Sequence, residues 1–472
     1  MHPRNPYRNP PDFVTLAISY PLLFPYLNEK TKTIDFKDGS AQRRLTEAIM
    51  FRDFGVKLEI PEDRLCPPVP NRMNYVLWIQ DIVYAHRDVL ETRPRRIRGI
   101  DVGTGATAIY PILACKMEGT WDMVGTEIDD MSFTYAQRNV ASNDLRNRID
   151  IRNASKEGRI LFPLEKPNEK YDFCMCNPPF YASAAEVEDL AREKELPPNA
   201  VCTGSDIEMI YPDGGEAGFV GRMVEESETF QTRCKWYTSM FGKMSSVTRI
   251  VEMLRQRSIP NYAITEFVQG QTRRWAVAWS YTDAHLPDSA ARIPNLPPNH
   301  VLAPFMPPRN TLSQPLSLTK EPRPRFERVC TIVSEVLGLI DGVTALERPE
   351  SEKGEKGVFF VEAKANKWSR SARRKKTRLK DVVDEGNSTL GSKASETSEG
   401  ASNLSSGSAA PALTCSLRVR PAEAEVVEGH YLLEFQWMFG RDRGLFESFA
   451  SHVGRKVGVQ LEANTRPLGG VA

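Results

Sequence analysis

Ile97-Arg-Gly-Ile-Asp-Val-Gly-Thr-Gly-Ala106 is the stretch that decides the fold. An apolar run ends in Asp101-Val-Gly103-Thr-Gly105, and a helix-spaced pattern, Ala106–Met117, opens behind it. Strand, glycine turn and helix in that order start a parallel sheet wound in both directions. Outward from there the alternation continues through strand Asp122–Glu127, helix Met131–Asn143 and strands Ile149–Arg152 and Tyr171–Cys176. Helices around Glu186–Glu195 and Ala217–Thr229 come next, then strand Lys235–Phe241 and helix Ser245–Arg257. Strands Tyr262–Val268 and Thr272–Tyr281 close the series through Gly270. Alternating units that end in an antiparallel hairpin predict an α/β, doubly wound seven-stranded Rossmann-like sheet.

The flanks read differently. Residues 1–90 are an N-terminal helical accessory module, with helices expected over Phe13–Leu27, Gln42–Phe54 and Asn74–Leu90 and an extended Pro67–Pro70. The core domain spans 91–285, with a polar loop at 195–216 over the site. A proline-laden linker, 286–324, leads to a small α+β domain, 325–460. Its expected order is αβββα: helix Arg325–Ile340, strands Val358–Trp368, Leu413–Val419 and Tyr431–Phe439, and helix Leu445–Val457. Residues 381–412, rich in Ser, Gly and Glu, are expected to be disordered.

Composition excludes several classes. In 472 residues the net charge is +1, so only local patches can hold phosphates. Such patches are Arg93–Arg98, Arg273-Arg274 and Arg370–Lys380, the last with seven Lys or Arg. No stretch approaches the roughly 18 apolar residues of a membrane span. The first residues also lack a signal peptide's apolar core, so the cell interior is the expected compartment. Eight cysteines without CxxC and six histidines without HxxxH give neither a disulfide framework nor a metal site.

Two sites about 75 residues apart carry the chemistry. Gly103 and Gly105 remove side chains where backbone approaches a nucleotide cofactor, and Asp101 caps that loop. Glu127 closes the next strand, where a carboxylate can accept both ribose hydroxyls. NAD is the nearest competitor, but the third glycine of its fingerprint is replaced by Thr107 and Ala108. The second site is Asn177-Pro178-Pro179-Phe180. The Asn177 carbonyl and the Pro178 main-chain carbonyl can accept the hydrogens of a planar amine, freeing its lone pair for a methyl group. Proline contributes no N–H, and Phe180 with Tyr181 can stack on a base. Together the two sites point to S-adenosyl-L-methionine and methylation of a nitrogen. A glutamine side-chain amide is the competing substrate, and an RNA-binding scaffold with a silent enzyme domain is the reading from another class.

The collinear series Asn5…Tyr7, Pro10-Pro11-Asp12-Phe13, Phe36-Lys37-Asp38, Asp53-Phe54-Gly55, Asn74-Tyr75, Gly99–Ala106, Tyr171–Phe180 and Arg274-Trp275-Ala276 resembles the methyltransferase-like 16 family. It is more distantly similar to bacterial ribosomal RNA adenine-N6 methyltransferases. The resemblance covers about residues 1–283 and implies a class I methyltransferase fold. It implies N6-methyladenosine formation in a structured RNA with an exposed adenosine, U6 small nuclear RNA above all. It also implies cofactor contacts by Arg72, Gly103, Glu127, Asn177 and a position near Gly158. In relatives the loop at Lys156–Gly158 can block the pocket; this chain departs from them there. RNA contacts are expected from Arg4 and Arg8 in the N-terminal arm, Tyr181, Arg274, and Arg273 in place of an arginine that Gln271 replaces. The implied compartment is the nucleus, with the cytoplasm left open.

Overall fold

The computed structural model describes residues 1–90, 96–186, 204–270, 272–316, 324–348, 356–368, 411–421 and 431–464. The expected helix Glu186–Glu195 (beyond its first residue), the basic block Arg370–Lys380, Gln271 and nearly all of the 381–412 insertion lie outside the described residues. The chain forms two units. One comprises residues 1–282 and 289–308; the other comprises 283–288 and 309–472.

In the first unit, helices α1 (Phe13–Ser19), α2 (Gly39–Phe54) and α3 (Val69–Leu90) precede the sheet. Local chemistry sets their ends. The Asp38 side chain accepts the Ser40 amide at 2.8 Å to start α2, and Gly55 ends it in the left-handed region at φ 61°. The single helix expected over Phe13–Leu27 is corrected: α1 stops at Ser19, and Pro21 and Pro25 confine the continuation to a 3-10 turn. Helix α3 starts five residues before the expected Asn74, because Pro70 fits a first turn that needs no N–H.

The sheet is built from β1 (Ile97–Val102), β2 (Trp121–Glu127), β3 (Ile149–Asn153), β4 (Tyr171–Cys176), β5 (Cys234–Phe241), β6 (Tyr262–Gln269) and β7 (Thr272–Trp279). Helices α4 (Ile109–Met117), α5 (Asp130–Ser142), α6 (Gly215–Phe230) and α7 (Met244–Gln256) connect them. Strand order is β3-β2-β1-β4-β5-β7-β6, with β7 antiparallel to both neighbours. This is the seven-stranded class I methyltransferase arrangement. All six residues of β4 are buried, as helices on both faces require. Helix α4 starts at Ile109 rather than Ala106, since positive φ at Gly103, Gly105 and Ala108 spends those residues on turns. Winding reverses between β1 and β4, and their carboxyl ends therefore open a crevice.

The second unit corrects the linker. Thr311–Leu316 is a strand, β8, paired antiparallel with Tyr431–Gln436. It is an edge strand, which is why Pro315 is tolerated in it. Helix α8 (Phe326–Gly338), strands β9 (Val343–Glu347), β10 (Val358–Ala363), β11 (Leu413–Pro421) and β12 (Tyr431–Phe439), and helix α9 (Arg443–Asn464) complete it. The expected αβββα therefore gains two strands, in the order β8-β12-β11-β10-β9. Leu433, Phe435, Cys415 and Leu417 meet Val333 of α8 and Phe449 of α9 in one core. Phe449 lies 5.0 Å from the Trp368 ring, and its truncation to Ala would cost about 3–5 kcal/mol. Residues 283–288 are fastened into this unit. Asp283 accepts the Gly440 amide at 2.9 Å, His285 donates to Met438 at 2.8 Å, and the Leu286 carbonyl accepts the Asn310 side chain at 2.8 Å.

Candidate active site

Val102 and Cys176 are register partners on β1 and β4, so the glycine turn and Asn177 emerge side by side. A cavity of about 700 Å³ lies there, walled in part by Arg72, Gly103, Gly105, Glu127, Gly158 and Asn177. Gly103 and Gly105 both hold φ +67°, and a Cβ built on either meets nothing within 4 Å. Any side chain there would be strained and would project into open space. Glu127, 5% exposed, accepts the Gly105 amide at 2.7 Å on one oxygen and the Ile128 and Asp129 amides at 2.8 and 3.0 Å on the other. Burial raises its carboxyl above the usual range; these three donors oppose that, and the charge of Glu208 adds to it. A carboxylate has about four acceptor positions, so capacity for hydroxyl donors remains. The Arg72 guanidinium lies 5.6 Å from the Tyr110 ring centroid. The Gly158 carbonyl accepts from Arg222 of α6, which also bonds Glu226, so the 155–160 loop is tied to that helix.

Asp101 departs from the expected cofactor contact. It is fully buried beneath the turn, outside the cavity wall, where one oxygen accepts the Thr104 hydroxyl at 2.8 Å and the other has no hydrogen-bond partner. Burial pushes its carboxyl up to about 7. Its work is to brace the loop from below.

At the other side, the Asn177 Oδ1 is buried and has no hydrogen-bond partner. An orphaned acceptor costs about 1–3 kcal/mol, a cost that an incoming N–H would relieve. Tyr75 of α3 fixes the strand end that carries it: its hydroxyl accepts the Cys176 amide at 3.3 Å and lies 2.6 Å from Thr238 Oγ1. Pro178 and Pro179 line the cavity, and Phe180 and Tyr181 stand beside it, their ring centroids 6.5 Å apart. The Arg274 guanidinium lies 5.5 Å from the Phe180 centroid, and the Lys243 ammonium 5.7 Å from that of Tyr181. Burial, with the charge of Arg72, holds the Arg274 guanidinium below its ordinary range. A Cβ on Gly242 would come within 3.0 Å of the Phe180 ring, and Glu216, 1% exposed, clamps that turn by accepting the Gly242 and Lys243 amides at 2.7 and 2.9 Å.

The other residues expected at RNA separate. Arg8 is exposed on the turn Pro6–Arg8, and Arg273 is exposed with its guanidinium 3.1 Å from Glu266. Arg4 is committed elsewhere: it bonds Gln80 at 2.8 Å and the Leu77 carbonyl at 3.1 Å and pairs with Asp81, which gives it the role of anchoring the arm to α3. Sequence reasoning missed Glu208, Glu216, Arg222 and the bracing role of Tyr75. Only Gly214-Gly215-Glu216 carried a local signal, a glycine pair before a buried acid.

A Cβ-free turn, a carboxylate with spare acceptor positions and a buried guanidinium suit a nucleoside that carries an amino acid, so S-adenosylmethionine fits the residues present. Residues 1–283 match the family described as RNA methyltransferase. The mouse RNA N(6)-adenosine-methyltransferase METTL16 is 41% identical over 290 residues, 60% of this chain and 52% of that protein. The Schizosaccharomyces pombe U6 small nuclear RNA (adenine-(43)-N(6))-methyltransferase is 38% identical over 352 residues, 73% of this chain and 83% of that one. The chain thus spans about half the length of the first and most of the second. Among solved structures, the human METTL16 catalytic domain in complex with MAT2A 3′UTR hairpin 1 matches with TM-score 0.55 at 39% identity, covering 60% of this chain and 96% of that one. The N-terminal domain of human METTL16 in complex with SAH matches with TM-score 0.50 at 38% identity, covering 60% and 99%.

Proposed function

The chain belongs to the RNA methyltransferase family, and from that premise we propose that it methylates adenosine N6 in a structured RNA, with U6 small nuclear RNA the favoured target. The observation that carries this is the orphaned Asn177 Oδ1 beside the glycine turn and Glu127. The fission-yeast and Dictyostelium relatives, both named U6 small nuclear RNA adenine methyltransferases, support the target and with it a nuclear location. The aromatic–cation pair of Phe180 and Arg274 favours a base over a glutamine amide.

S-adenosylmethionine supplies an electrophilic methyl group on a sulfonium. Arg72 would hold its carboxylate, the Gly103–Gly105 turn would track its backbone, and Glu127 would accept its ribose hydroxyls. The chain's remaining residues act on the amine. An adenine amine is a weak nucleophile because its lone pair is delocalised into the ring. Asn177 Oδ1 and the Pro178 carbonyl each accept one N–H, which favours a pyramidal nitrogen and aims its lone pair at the methyl. Phe180 holds the base by stacking, with Arg274 strengthening the platform. No side chain has to take the proton beforehand; it leaves to water after the methyl arrives.

The test uses labelled cofactor with U6 transcripts, the same transcripts with the exposed single-stranded adenosine replaced by guanosine, and protein extract. Label confined to the adenosine-bearing RNA, recovered as N6-methyladenosine, is the expected result. Label on protein, or on the guanosine transcript, refutes the reading.

A further inference from the structure

One wall of the cavity comes from residues 204–212, and none of the chemistry above uses it. It is fastened at two places. On the cofactor side, one carboxylate oxygen of Glu208 accepts the Leu65 amide at 3.0 Å, the Ser205 amide at 3.0 Å and the Ser205 hydroxyl at 3.2 Å. Leu65 lies 143 residues earlier, next to Arg64, whose guanidinium bonds Asp129 at 2.9 Å and Ser132 at 3.2 Å at the start of α5. On the amine side, Tyr181 donates to the Met209 carbonyl at 3.0 Å and accepts from the Tyr211 amide at 2.8 Å, one residue beyond Phe180. Glu208 also lines the cavity with Glu127.

The segment cannot place itself. Its one helical turn, Asp206–Met209, buries no residue and is far too short to be stable alone. Those hydrogen bonds place it, with the Tyr211 ring packed 5.3 Å from that of Phe219 on α6. Two of the three donors, on Ser205, close the capping box of this turn; the third, from Leu65, comes from a distant segment. The bond from Leu65 ties the wall to a segment 143 residues away in sequence.

We propose that Glu208 is a positioning residue for methyl transfer, latching the 204–212 wall to Leu65 so that the cofactor cavity is closed on that side and the Tyr181 bridge is held in register with Asn177–Phe180. The inference rests on the cofactor reading above. Glu208 and Tyr181 then hold the same short segment from opposite ends, so loosening one loosens the other.

The test measures binding of S-adenosylhomocysteine to the full chain by calorimetry, for Glu208→Ala and Glu208→Gln, with hydrogen exchange monitored at Leu65 and Tyr211. Glu208→Ala should weaken binding roughly tenfold, without lowering the melting temperature, and speed exchange at both amides. Glu208→Gln should recover most of the affinity, because its amide oxygen still accepts from Leu65. Wild-type affinity in Glu208→Ala overturns the proposal, as does a Gln variant as impaired as Ala. Glu127→Ala is run alongside: if it too binds normally, the cofactor reading has failed rather than the latch. If Glu208→Ala does not fold, exchange at Leu65 and Tyr211 in Glu208→Gln decides, and protection lost there despite the retained acceptor overturns the latch.

Discussion

The two halves of the site are built on opposite terms. In the cofactor half, Glu127 accepts three backbone amides and keeps an acceptor position to spare, and the glycine turn is fixed before anything binds. In the amine half, the Asn177 Oδ1 is buried with no partner, and its surroundings hold it there: Tyr75 on the preceding amide, Gly242 against Phe180. The first half binds by preorganised shape. The second keeps one acceptor in deficit, which an incoming N–H would make good. Binding energy and rate should therefore respond to different substitutions.

Asn177→Ala is the sharpest attempt to break this division. It should lower kcat about 10²–10³-fold with cofactor affinity within twofold of wild type, measured by single turnover and calorimetry. Near-normal turnover would remove the deficit from the mechanism. Glu127→Ala should do the reverse, weakening cofactor binding by about 2–3 kcal/mol. It loses the ribose acceptor and also leaves the Gly105 amide without its bond, so the turn should loosen as well. Unchanged affinity by calorimetry would move the ribose acceptor elsewhere.

Asp101 asks whether every orphaned oxygen is functional. Its carboxyl is raised by burial from 3.8 to about 7, so its stabilising contribution is present below pH 4 and lost as pH rises towards 7. Across that window the wild type should lose up to about 1.4 kcal/mol per pH unit relative to Asp101→Asn, read from denaturant unfolding at a series of pH values. Parallel stability curves would mean the site stays ionised. Smallest is Arg274→Lys, which keeps the charge but loses the planar stack on Phe180. RNA KM should rise by about 0.5–1 kcal/mol, with cofactor affinity unchanged. A change in cofactor affinity instead would place Arg274 on the other side of the comparison.

The legibility of each feature in the sequence depended on how locally it is made. Gly103, Gly105, Glu127 and Asn177–Phe180 were legible because each sits at the carboxyl end of its own strand, where a few consecutive residues define the chemistry. Asp101 was read from the same motif, yet depth under a turn is a tertiary property, and the cavity does not reach it. Arg4 looked like a phosphate contact until Gln80, Leu77 and Asp81 were brought to it from the far end of the module. Thr311–Leu316 hid among prolines, since an edge strand tolerates residues that a central one rejects. Glu208 gave no warning, because Leu65 lies 143 residues away; the glycine pair before Glu216 marked a special position but not its partner, Gly242.

The boundary between the units limits how such a chain can be rearranged. Six residues, 283–288, belong to the second unit, while the next twenty, 289–308, return to the first. No single junction separates the two. A gene that exchanged its second unit by one crossover would inherit either an orphan hexapeptide or a first unit missing its last segment. Replacement needs two simultaneous breakpoints, or a donor whose hexapeptide already matches. The pairing of these two modules should therefore descend as a block.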